Sequence, residues 1–156
     1  MTAPYTKDIA KQYQNFLGEW QWQCHLTLSF RRQHHLHSAM KQARTYLNRI
    51  GRNNPKMRFT AAILATTGTG RNHVHVLILS DEKYPLTFKQ ISLYTLEQEW
   101  KEIGTIELST SEEWTNDTIT EYLTKKKNLN LHNPDSYDLS FYRPQLLRQF
   151  QRGIRQ

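Results

Sequence analysis

The chain has 156 residues, 37% of them hydrophobic, and one cysteine, Cys24, so a single domain with a real core fits and an intrachain disulfide is excluded. Its formal charge is +7 and its pI about 9.6, an excess that suits a polyanionic partner, most simply nucleic acid. No stretch approaches the about 18 consecutive apolar residues of a membrane span, and the N-terminus lacks a basic-then-apolar signal pattern, so a soluble, cytoplasmic protein without a membrane partner is expected.

In chain order, the residues up to about Phe16 suit a short amphipathic helix that Gly18 ends. Trp20 to Phe30 alternates, with Cys24, Leu26, Leu28 and Phe30 on one face and His25, Thr27 and Ser29 on the other, the pattern of a half-buried strand. From Gln33 to Ile50, Leu36, Met40, Ala43, Leu47 and Ile50 recur at helical spacing; Gly51 and Asn53-Asn54-Pro55 stop that helix. Met57 to Thr67 reads as a second strand and His73 to Ser80 as a third, joined by a tight hairpin at Gly68-Thr69-Gly70-Arg71-Asn72.

Tyr84-Pro85 breaks the chain. Thr87 to Ile103 predicts a helix with Phe88, Ile91, Leu96, Trp100 and Ile103 inward and Gly104 as its cap; Thr105 to Ser109 is a short fourth strand. Thr115 to Lys127 has helical character, with Ile119, Tyr122 and Leu123 on one side. After Asn128 the composition turns polar through Asn133-Pro134-Asp135, and Arg143 to Arg155 predicts a basic C-terminal helix. No repeat or linker divides residues 1–156, so one domain is expected.

The order β-α-β-β-α-β followed by a helix is that of the ferredoxin-like, RRM-like α+β arrangement. It predicts an antiparallel sheet with helices on one face. The other face is then free to carry a site or to receive single-stranded nucleic acid.

The chemistry gathers on the third strand. Side chains on a strand alternate, so in His73-Val74-His75-Val76-Leu77-Ile78 the valines and Ile78 take the buried face and His73 and His75 share the other. Two imidazoles fixed by one strand are half of a divalent-metal site. A nucleophile over that face is the next requirement, and Tyr122 supplies it. It stands in Tyr122-Leu123-Thr124-Lys125, where tyrosine and lysine at i and i+3 share a helix face. A phenol attacks phosphorus at neutral pH when a metal polarises the phosphate, and a nearby ammonium stabilises the phenolate. The bland reading is two surface histidines, a core tyrosine and a solvated lysine run.

His-hydrophobe-His on a strand, followed by a helix bearing Tyr-x-x-Lys, resembles the HUH endonuclease superfamily, and within it the single-tyrosine Rep proteins that initiate rolling-circle replication of plasmids and viruses. Cys24-His25-Leu26-Thr27-Leu28-Ser29-Phe30 resembles their first strand motif, and the three motifs follow the family order. The resemblance implies Mn²⁺ or Mg²⁺ held by His73 and His75, and single-stranded DNA at a replication origin, as a plain strand or a hairpin, nicked and rejoined through a 5′-phosphotyrosine on Tyr122, with Lys125 as auxiliary cation. It also implies a host helicase and polymerase as partners. The family's usual third ligand, often a carboxylate on the preceding strand, has no match in Ile63-Leu64-Ala65-Thr66-Thr67; His25, Thr66, Glu121 or a water remain candidates, with His25 named first. Contacts to DNA are expected from Arg31, Arg32, Arg71, Lys126 and Thr27, since phosphates are usually met at loops and element ends. A small HUH transposase is the nearest rival, although that group usually has Gln where this chain has Lys126; a non-catalytic ferredoxin-like nucleic-acid-binding module is the non-enzyme rival.

Three features look like motifs and are read otherwise. His35-Leu36-His37 starts a helix, where i and i+2 diverge and cannot share a metal. Gly68-Thr69-Gly70 lacks the lysine ending of a phosphate loop and joins two strands. Trp20 and Trp22 either stack bases or pack.

Overall fold

The computed structural model describes residues 15, 17–32, 34–66, 73–123 and 137–149, with residues 36, 66, 116, 117, 121, 122 and 137–139 described by their backbone alone. The architecture is α+β. Five strands, β1 (Cys24–Phe30), β2 (Phe59–Thr66), β3 (His73–Ser80), β4 (Gly104–Thr110) and β5 (Tyr137–Tyr142), form one antiparallel sheet in the order β4-β1-β3-β2-β5. Helices α1 (Leu36–Asn53), α2 (Leu93–Gln98) and α3 (Asn116–Leu123) accompany it, with a 3-10 turn at Phe88–Gln90.

The alternation of β1 buries Cys24, Leu26, Leu28 and Phe30 on the face that receives α1. From α1, Ala39, Met40, Ala43, Tyr46, Leu47 and Ile50 recur every three or four residues and close that core. Buried polar tips are satisfied as it closes. Tyr46 Oη donates to the Leu96 carbonyl at 2.9 Å, and Trp100 Nε1 donates to the Ser29 carbonyl at 3.0 Å. Cys24 is part of this packing, and burial pushes its thiol up to about 12, which leaves it inert.

The helix expected over Thr87–Ile103 is broken in two. A Thr87–Gln90 capping box closes the 3-10 turn, and Ser92 then starts α2 afresh by accepting from the Thr95 N–H at 3.1 Å. Two start signals within five residues prevent one long helix. Gly104 is the first residue of β4 rather than a helix cap, and a Cβ there would lie 1.7 Å from the Ser29 carbonyl oxygen.

The fifth strand was not expected. It pairs with β2 from Ala61↔Tyr142 to Thr66↔Tyr137. Arg44 of α1 ties it down, Nη1 donating to the Phe141 carbonyl at 3.0 Å and Nη2 to the Ser140 hydroxyl. Arg143, at φ 53°, ends the strand, and residues 145–149 are helical; the rest of the expected basic C-terminal helix lies outside the described residues. So do the N-terminal helix and the residue 68–72 turn, although β2 and β3 pair up to Thr66↔His73.

The second face is where the expectation of helices on one side only fails. Leu77 and Leu79 continue the parity of His73 and His75, and Ala62 and Leu64 lie beside them on β2. That half of the face is apolar and has to be covered. Leu17, Trp20, Trp22, Leu147 and two residues of α3, Ile119 and Leu123, cover it. Both tryptophans therefore pack: Trp22 Nε1 donates to the Leu17 carbonyl at 2.7 Å and Trp20 Nε1 to the Leu147 carbonyl at 3.0 Å.

Candidate functional site

The polar end of the second face is assembled by register. Ser29 is opposite His73 and Thr27 opposite His75, while on the outer side Glu107 is opposite Thr27 and Ser109 opposite His25. The result is one patch drawn from β1, β3 and β4, bounded by the apolar cluster under α3.

Three imidazoles lie together in it. His25 Nε2 and His75 Nδ1 are 3.0 Å apart, a buried hydrogen bond, with ring centroids at 5.2 Å and planes 22° apart. His73 meets the His75 ring edge-on at 4.9 Å. His25 is 8% exposed and His75 4%, and His73 is half-buried. Burial pushes His25 down from the ordinary 6.5 to about 4. His75 is held well below the usual range by burial, and further by His25 and His73. Both are neutral at pH 7, the form in which imidazole donates a lone pair to a metal. A cavity of about 300 Å³ opens beside them, lined by His25, Thr27, Glu107, Leu108, Ser109 and Ile119.

Of the residues singled out from sequence, His25, Thr27, His73 and His75 share this face. Arg31 and Arg32 are exposed just beyond the end of β1 that pairs with the start of β3, beside His73. Tyr122 falls in the last turn of α3, whose Ile119 and Leu123 pack on the histidine face. The side chains of Tyr122, Glu121 and Thr66 are outside the described set, and Lys125, Lys126 and Arg71 lie outside the described residues altogether.

Glu107 is the residue that sequence reasoning missed. Its signal was available: Ile106 and Leu108 point to the first core, so Thr105, Glu107 and Ser109 take the other face. Among the described residues, no group of three or more His, Cys, Asp or Glu side chains is placed to hold a metal ion. His25, the first-named candidate for a third ligand, meets His75 through the nitrogen contact above.

No family model matches the chain, and no curated protein or solved structure matches it either. Among the described residues, no helix is long and apolar enough to cross a membrane.

Proposed function

We propose that this is a metal-dependent enzyme that nicks and rejoins single-stranded DNA through Tyr122, of the HUH Rep type that initiates rolling-circle replication. The observation that carries the reading is the meeting of His73 and His75 on the very face that α3, the helix bearing Tyr122, packs against. The sequence placed these residues in segments about 50 positions apart. The strand order fits a ferredoxin-like arrangement with β5 added at the β2 edge.

The donor set fits a divalent cation in part: two imidazoles on one strand are suitable ligands, and further ones would come from water, substrate or residues not described. Mn²⁺ or Mg²⁺ held there by His73 and His75 would polarise the scissile phosphate. Tyr122 supplies the nucleophile: its phenolic oxygen forms the bond to phosphorus, its proton passes to solvent, and the bond to the 3′-oxygen of the preceding nucleotide breaks, that oxygen taking a proton from solvent to leave as a 3′-OH. Rejoining is the reverse, a 3′-OH attacking the 5′-phosphotyrosine and restoring the phenol. Lys125 neutralises phosphate charge, and Arg31, Arg32, Arg71, Lys126 and Thr27 hold the strand at backbone and sugar. In this reading the partners are origin DNA with a host helicase and polymerase, the chain is one endonuclease domain, and it works in the cytoplasm.

One observation favours the non-catalytic nucleic-acid-binding module. His75 is nearly inaccessible and bonded through Nδ1 to His25, as an imidazole packed into a core would be. The two readings separate on a denaturing gel. A 3′-labelled single-stranded DNA library is incubated with the protein and Mn²⁺. A protein–DNA adduct that chelation abolishes supports the enzyme; retention of DNA without any adduct overturns it in favour of the module.

A further inference from the structure

We propose that His25 is a positioning residue, whose Nε2 accepts a hydrogen bond from the Nδ1–H of His75 and so holds His75 in the tautomer that presents the Nε2 lone pair to a cation. The inference rests on the reading of His73 and His75 as cation ligands and adds the residue that orients one of them.

The geometry is that of an in-plane bond. The nitrogens are 3.0 Å apart, the ring planes only 22° apart, and the centroids 5.2 Å apart. That is the separation two nearly coplanar imidazoles have when their nitrogens meet edge to edge along the line of centres. The single proton between them has two homes. If His25 donates it, neutral His75 carries its own proton on Nε2 and has no lone pair for a metal. If His75 donates it, Nε2 is the free-electron-pair nitrogen and His25 carries its remaining proton on Nδ1. Cation binding at His75 selects the second arrangement, and the bond in turn fixes the ring plane and makes Nε2 a better donor.

The backbone supports this division of labour. His25 is diagonal to His75 across the β1–β3 pair, since Thr27 is the residue directly opposite His75 and His25 is opposite Leu77. Its side chain therefore leans along the strand to reach His75. His73, two residues before His75 on the same strand, remains the partner ligand. The arrangement also gives His25 a reason to be a histidine on a strand whose neighbours on that face are Thr27 and Ser29.

The test is Mn²⁺ binding to the full chain, followed by the electron paramagnetic resonance of free Mn²⁺, with His25→Phe and His25→Gln beside the parent. His25→Phe keeps a flat ring but accepts nothing, and affinity should fall about 10- to 100-fold. His25→Gln places an amide oxygen where Nε2 was, and should recover most of that loss. The second readout is the tautomer itself, from long-range ¹⁵N–¹H correlations of His75 in the Mg²⁺-saturated parent. Protonation at Nδ1 supports the inference; protonation at Nε2 overturns it, even if His25→Phe fails to fold. Parent-like Mn²⁺ affinity in folded His25→Phe, with binding lost in His73→Ala and His75→Ala, overturns the role of His25 alone. Absence of saturable Mn²⁺ binding in the parent, or its survival in His75→Ala, overturns the underlying reading and the inference with it.

Discussion

Acidification is a direct perturbation of the buried imidazole pair. His25 has a folded pKa of about 4 against 6.5 in the unfolded chain, because burial penalises its charged form. The unfolded chain therefore takes up the proton first. The stability that neutral His25 contributes is complete above pH 6.5 and is lost as the pH falls toward 4. With those two values the loss by pH 5 is about 2 kcal/mol from His25 alone. His75 is shifted in the same direction, so its loss adds to this. Among the described residues, His73 on the same strand and Glu107 across the cavity are titratable groups that also face the pair. Urea unfolding in a chelator, followed by tryptophan fluorescence, reads the effect, because Trp20, Trp22 and Trp100 are buried. A 2 kcal/mol loss lowers the urea midpoint by about 1 M for a small domain. The window from pH 7.5 to 5 lies above most carboxylate titration, so histidines dominate it. His25→Gln should flatten the slope. Equal midpoints at pH 7.5 and 5, or an unchanged slope in His25→Gln, would refute the burial argument.

Gly104→Ala should destabilise the fold by about 3 kcal/mol or more, since the new Cβ would sit 1.7 Å from the Ser29 carbonyl oxygen and force β4 away from β1; a parent-like thermal midpoint would contradict that contact. His73→Ala should abolish Mn²⁺-dependent cleavage while changing single-stranded DNA affinity by less than about threefold, because phosphate contacts dominate binding. Parallel loss of both in filter binding and cleavage assays would make the histidine structural. Raising NaCl from 50 to 200 mM should weaken DNA binding by about tenfold or more, and a flat salt response would contradict phosphate recognition by the basic surface.

The local elements were legible because parity and helical spacing are local properties. The patterns of β1, β3 and α1 lie within a few residues of their observed bounds, and the β1 parity alone puts His25 on the same face as Thr27. What failed was the reading of faces. Following only Val74, Val76 and Ile78 assigned one side to the core, while Leu77 and Leu79, on the histidine parity, already required cover on the other. Trp20 and Trp22 provide that cover, so their ambiguity was settled by long-range packing that no window of sequence contains. β5 was hidden by its polar setting, although Tyr137-Asp138-Leu139-Ser140-Phe141-Tyr142 alternates over most of its length; its stability comes from β2 and Arg44, far away in the chain. The site was half legible. The His73/His75 pair is visible in one strand, but the His25–His75 bond and the nearness of Glu107 depend on register across β3, β1 and β4.

Under the proposed function, Tyr122 becomes covalently joined to DNA under the control of the histidine pair. Protein incubated with single-stranded DNA and Mn²⁺, digested with nuclease and protease and analysed by mass spectrometry, should carry a nucleotide 5′-phosphate on the peptide containing Tyr122. The modification should vanish in Tyr122→Phe and in His75→Ala. A nucleotide attached to another tyrosine, or DNA cleaved equally well by Tyr122→Phe, would contradict the account.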